Sequence, residues 1–84
     1  SPNDDYAHYA LGMALWRRQQ FPTARDHLSM AFVMRPDRAE YGQALGQVKA
    51  TLRARSEAGL SLIGPISSAD DANLLDGPGS HGLV

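Results

Sequence analysis

The chain has no cysteine. That excludes disulfide staples and thiolate metal sites, and it suits a cytoplasmic protein. No apolar run approaches the roughly 18 residues that a membrane span needs, so no membrane partner is expected. The opening residues Asn3, Asp4 and Asp5 are not the basic start of a secretory signal. Basic residues are missing from one end altogether. Residues 59–84 carry Asp70, Asp71 and Asp76 and no Lys or Arg, a net −3. Residues 1–58 hold all eight Lys and Arg against six Asp and Glu, a net +2. The overall charge of −1 offers little counterion release, so no nucleic-acid partner is expected.

Catalytic signatures are also missing. There is no HExxH, no paired histidine and no CxxC. His8, His27 and His81 are scattered, and each reads as a surface or half-buried side chain. Asp26 and His27 are neighbours that point about 100° apart on a helix, so they form no dyad. Gly77-Pro78-Gly79-Ser80 lacks the Lys and the following helix of a phosphate loop. The expectation is a non-enzyme, with no catalytic residue, no metal and no cofactor.

What remains is helical. Asn3 and Asp4 suit an N-cap, and Asp5 favours the positive end of a helix dipole, so a helix is expected over 4–20. Ala7, Leu11, Ala14 and Leu15 recur at helical spacing and read as its core face. Pro22 suits the first turn of a second helix, which runs to Met34 and stops before Pro36. Ala24, Leu28, Ala31, Phe32 and Met34 lie on or near one face of it. A third helix over 38–57 carries Tyr41, Leu45, Val48 and Leu52 as one stripe, and Gly59 suits its C-cap. Arg17-Arg18 and the Arg53/Arg55 pair read as solvated helix surface. Beyond Gly59 the composition turns to Gly, Pro and Ser without a sustained period. Residues 59–84 therefore read as a flexible acidic tail beside a domain at 1–58.

The sequence also repeats itself. Pro2, Ala10, Leu11 and Gly12 recur thirty-four positions later as Pro36, Ala44, Leu45 and Gly46. A fixed interval that spans two helices marks a helical repeat, whose units bury their faces by stacking. Residues 5–38 resemble one tetratricopeptide repeat. Leu11-Gly12, Leu15, Phe21, Ala24, Leu28, Ala31 and Pro36 stand in that family's register, and His8 departs from the usual Trp. Residues 39–57 resemble a further first helix, with Lys49 where Leu15 stood, as in a terminal capping helix. Pro2-Asn3 resembles the closing signature of a preceding unit.

The resemblance implies an all-α fold of one helix-turn-helix repeat plus a capping helix. It also implies protein–protein interaction, as scaffold, adaptor or chaperone-like module, with a peptide held in the groove lined by first helices. By position the groove residues are Tyr6, Tyr9, Met13, Trp16 and Arg17, then Glu40, Gln43, Gln47, Ala50 and Thr51. Tyr6, Tyr9, Met13 and Trp16 also form a stripe spaced +3, +4, +3, about 100° round from the Leu11/Leu15 face. Such side chains are favoured binding anchors. The family's carboxylate clamp needs Lys and Asn where this chain has Tyr9 and Met13, so that ligand is not expected. The stripe leaves self-association open, as it leaves open docking of the acidic tail on its own or a neighbour's groove. A homo-oligomer is thus an alternative to a separate protein partner.

Overall fold

The computed structural model describes residues 4–66. Three helices follow in order: α1 (Asp4–Arg17), α2 (Phe21–Met34) and α3 (Ala39–Glu57). The fold is all-α, and among the described residues the extended pairing is limited to a single bridge between Gln20 and Ile63.

The helix ends follow local chemistry. Asp4 and Asp5 occupy the first turn of α1, at the positive end of its dipole. α1 stops earlier than its spacing suggests because Gln19 turns left-handed, at φ 60°. The Gln20 amide then donates to the Leu15 carbonyl at 2.9 Å, and the Gln19 amide to Trp16 at 2.9 Å. That double closure is a Schellman motif built without glycine. Pro22 sits in the first turn of α2, where its missing N–H costs nothing. α3 closes with the same double bond, from Gly59 to Ser56 and from Leu60 to Arg55. Here Gly59 supplies the left-handed residue at φ 72°, as its position in the sequence implies.

α1 and α2 run antiparallel, with His8 against His27, Gly12 against Leu28, and Trp16 against Phe21. Gly12 sets the closeness of that pair. A Cβ there would lie 2.7 and 2.8 Å from Leu28 Cγ and Cδ2. α3 returns alongside α1 in the same direction, as Asp5 meets Tyr41 near one end and Trp16 shares a cleft with Thr51 near the other. Phe21, Ala24, Leu28, Ala44, Leu45, Val48 and Leu52 form the buried core, with Tyr9, Met13, Leu15, Trp16 and Phe32 packed against it.

The α1 faces differ from the sequence reading. Leu11 is 46% exposed and Ala7 is exposed, so half of the expected core face is open, while Ala14 is half-buried and Leu15 packs on the core. Tyr9, Met13 and Trp16, read as groove anchors, are half-buried and pack on the core. The thirty-four-residue interval gives the reason. Tyr41, Leu45, Val48 and Leu52 of α3 are buried, in a helix that packs on α2. Their counterparts in α1 are Ala7, Leu11, Ala14 and Arg18. Among the described residues no helix lies on that side of α1.

Residues 59–64 fold back on the α1–α2 turn. The Gly64 amide donates to the Gln19 carbonyl at 2.8 Å. Arg55 Nη1 donates to the carbonyls of Ser61 (3.1 Å) and Gly64 (2.7 Å), and its guanidinium lies 4.7 Å from the centre of the Phe21 ring. Arg55 is thus buried and not part of a solvated basic patch, because the returning backbone needs its donors. Asp70, Asp71 and Asp76 lie outside the described residues.

Candidate partner-binding surface

α1 and α3 lie side by side, and of the residues that the groove reading selects, Trp16, Arg17 and Thr51 line one cleft between them. Position along α1 decides how each is held. Tyr6, at one end, is 61% exposed, with its ring 6.3 Å from that of Tyr9. Tyr9 is half-buried because the Tyr41 ring stands 4.8 Å away on α3. Met13 is half-buried against the core, midway along the face. Trp16 meets Phe21 edge to face, with centroids 5.2 Å apart and planes at 72°. That is the favoured arrangement for an aromatic pair.

At the Trp16 end the face opens into a cleft of about 530 Å³, lined by Trp16, Arg17, Gln19, Phe21 and Thr51. Thus Trp16 and Arg17 of α1 meet Thr51 of α3 in one concavity. Arg17 is exposed and has no ion-pair partner among the described residues. Gln43 and Gln47 are exposed on α3 and do not line the cleft. Thr51 donates its hydroxyl to the Gln47 carbonyl at 3.0 Å, which leaves its oxygen free to accept. An apolar wall beside an unpaired guanidinium can hold a side chain next to a carboxylate or a carbonyl.

A buried contact fixes how α1 and α3 lie. The Tyr41 hydroxyl donates to Asp5 Oδ2 at 2.7 Å, and Arg38 Nε lies 3.9 Å from the same oxygen. The hydrogen bond from Tyr41 holds the Asp5 carboxyl below its ordinary range, against the upward push of burial, and Arg38 adds to the lowering. The same bond, with burial second, pushes the Tyr41 hydroxyl up to about 12. Sequence reading placed Tyr41 in a core stripe and did not see this pairing. The two residues lie thirty-six positions apart, so the repeat interval alone does not bring them together.

In the turn before α3, Arg35 clasps Asp37 with bonds of 3.0 and 2.8 Å. Those bonds pull the Asp37 carboxyl down to about 2. Two of the three scattered histidines also meet. His8 Nδ1 and His27 Nδ1 are 3.1 Å apart across the α1–α2 seam. Neither their spacing in sequence nor any motif signals this, since it depends on the register of two antiparallel helices. His81 lies outside the described residues.

An open hollow of about 280 Å³ is lined by His8 of α1 and by Ser29, Met30, Val33 and Met34 of α2. No helix among the described residues is long and apolar enough to cross a membrane. No protein-family model matches the chain, and neither a curated protein nor a solved structure matches it.

Proposed function

We propose that the chain is a tetratricopeptide-like interaction module that holds a peptide segment of a protein partner along the face shared by α1 and α3. The observation that carries this reading is the cleft where Trp16 and Arg17 of one helix meet Thr51 of another. The bound segment inserts an apolar side chain against Trp16 and Phe21. It offers a carboxylate or backbone carbonyl to Arg17, and runs toward Tyr9 and Tyr6. Gln43 and Gln47 supply polar contacts at the α3 margin. The lining of Trp16, Arg17, Gln19, Phe21 and Thr51 supports binding as its role, with an apolar wall and a cation for a ligand to meet. Selection from a random peptide library tests it. Selected peptides should carry an apolar residue near an acid and should lose affinity for Trp16→Ala and Arg17→Ala. Peptides that bind both variants as well as the parent chain would contradict the assignment.

A second reading has its own observation. Leu11 of α1 is 46% exposed, while its counterpart Leu45 is 7% exposed in α3, which packs on α2. Self-association through the Leu11 side would cover it and make the domain an oligomerisation unit. Sedimentation of the wild-type chain and of Leu11→Glu tests this. The variant should shift a dimer to monomer, and a wild-type chain that stays monomeric at high concentration rejects the reading.

A further inference from the structure

His8 and His27 form an unusual pair. Their Nδ1 atoms are 3.1 Å apart, the ring centres 5.3 Å apart, and the planes at 24°. Each nitrogen points toward the other ring, so one Nδ1–H donates to the other Nδ1. The contact joins α1 to α2 and leaves both rings half-buried. Its separation has a second meaning. Two imidazole nitrogens bound at about 2.0–2.1 Å to one metal ion lie roughly 2.8–3.4 Å apart at bond angles between square and tetrahedral. The pair is already at that distance.

The neighbouring side chains decide which ion. His27, Met30 and Met34 are spaced +3 and +4, so all three lie on one side of α2. His8, Met30 and Met34 line the same open hollow. The two methionines are 48% and 44% exposed. Among the described residues no three His, Cys, Asp or Glu side chains gather to hold a metal ion. A hard or borderline cation would therefore find only two nitrogen donors. A soft cation also finds thioethers, which select Cu(I).

We propose that His8 and His27, with Met30 and Met34, form a binding site for Cu(I). Binding needs no net loss of a proton from the neutral pair. The ring that carries Nδ1–H moves that proton to its own Nε2, which frees the second lone pair. Each ring then turns outward by about 40°, so that both lone pairs converge on an ion at about 2.0–2.1 Å instead of on each other. The thioethers complete the coordination from the α2 side. The ion replaces a hydrogen bond between two helices with two metal–ligand bonds, so its binding also clasps α1 to α2.

The test is an anaerobic titration of the full chain with Cu(I) against a coloured Cu(I) chelator. Ag(I) serves as the redox-silent probe for histidine-ring and methionine-methyl NMR signals. His81→Gln is included as background, to remove the third imidazole. The expected result is one equivalent bound, with shifts at His8, His27, Met30 and Met34. His8→Gln or His27→Gln should weaken binding tenfold or more, as should the volume-conserving double variant Met30→Leu/Met34→Leu, by about the loss that follows damage to a metal site. Circular dichroism of each variant separates lost ligation from lost folding. Absence of one-equivalent binding overturns the proposal. So does binding that survives both histidine substitutions in folded protein. If the leucine variant binds Cu(I) as tightly as the parent, the thioethers are not ligands and the soft-cation assignment fails.

Discussion

The hydroxyl of Tyr41 donates a 2.7 Å hydrogen bond to the carboxylate of Asp5, inside the seam between α1 and α3. Asp5 is 6% exposed and Tyr41 is 1% exposed. Burial alone would raise the carboxyl, yet the bond outweighs it and the carboxyl is lowered. The pair therefore locks the two helices whose shared face is the candidate binding surface.

That lock predicts two limits in pH. Asp5 is lowered in the folded chain, so its contribution is present above the ordinary carboxylate value of about 3.9 and lost as pH falls below it. The Asp37 carboxyl, at about 2, acts in the same direction. Its pair with Arg35 is exposed and screened, so Asp5 dominates. Tyr41 is raised from about 10 to about 12, so its contribution is full below pH 10 and disappears between 10 and 12. Denaturant midpoints measured across pH should fall at both ends. Tyr41→Phe should lower the plateau and flatten the alkaline limb. An unchanged alkaline limb would show that the bond does not hold the helices.

The two Leu-Gly phrases should respond oppositely to alanine. Gly12→Ala drives a methyl into Leu28 and should cost about 1–3 kcal/mol. Gly46 has nothing within 4 Å of a built Cβ. Gly46→Ala should therefore stabilise α3 by about 0.5–1 kcal/mol through helix propensity alone. Urea titrations of the two variants supply the comparison, and equal signs would mean that the repeat units pack alike.

Gln19 holds a left-handed conformation that favours glycine. Gln19→Gly should raise the unfolding free energy measured by urea titration by about 0.5–1 kcal/mol, because the strain at a non-glycine residue exceeds the added chain entropy. A loss of stability would place the Gln19 side chain among the contacts that hold the turn.

Arg55 should behave as a structural residue. Arg55→Met keeps the apolar stem but leaves the Ser61 and Gly64 carbonyls without their donor. The expected cost is about 1–3 kcal/mol, with faster hydrogen exchange at the Gly64 amide. An unaltered exchange rate would mean that the returning stretch holds without it.

The helices were legible because their signals are local. Pro22, Pro36 and Gly59 punctuate the chain, and the stripes of α2 and α3 match their buried sides, except at Met34, which is 44% exposed. Gly12 was legible too, since only a missing side chain admits Leu28. The faces of α1 were not. Apolar spacing identifies two candidate stripes on that helix, and which is covered depends on where α3 lies. Leu11 and Leu45 carry the same letter and meet opposite fates for that reason. Tyr41–Asp5 and His8–His27 were illegible for a related cause. Each is a contact across helices whose register the sequence does not state. Arg55 looked like surface because its partners are backbone carbonyls of a segment with no periodic pattern.

Chemical-shift mapping with a library-selected peptide tests the proposed surface most directly. A partner held between α1 and α3 should move the Trp16 indole, Arg17 and Thr51 signals, with smaller changes at Tyr9 and Tyr6. Shifts confined to Leu11, Met30, Val33 and Met34, with the Trp16 indole unmoved, would contradict it and place the partner on the opposite side of α1.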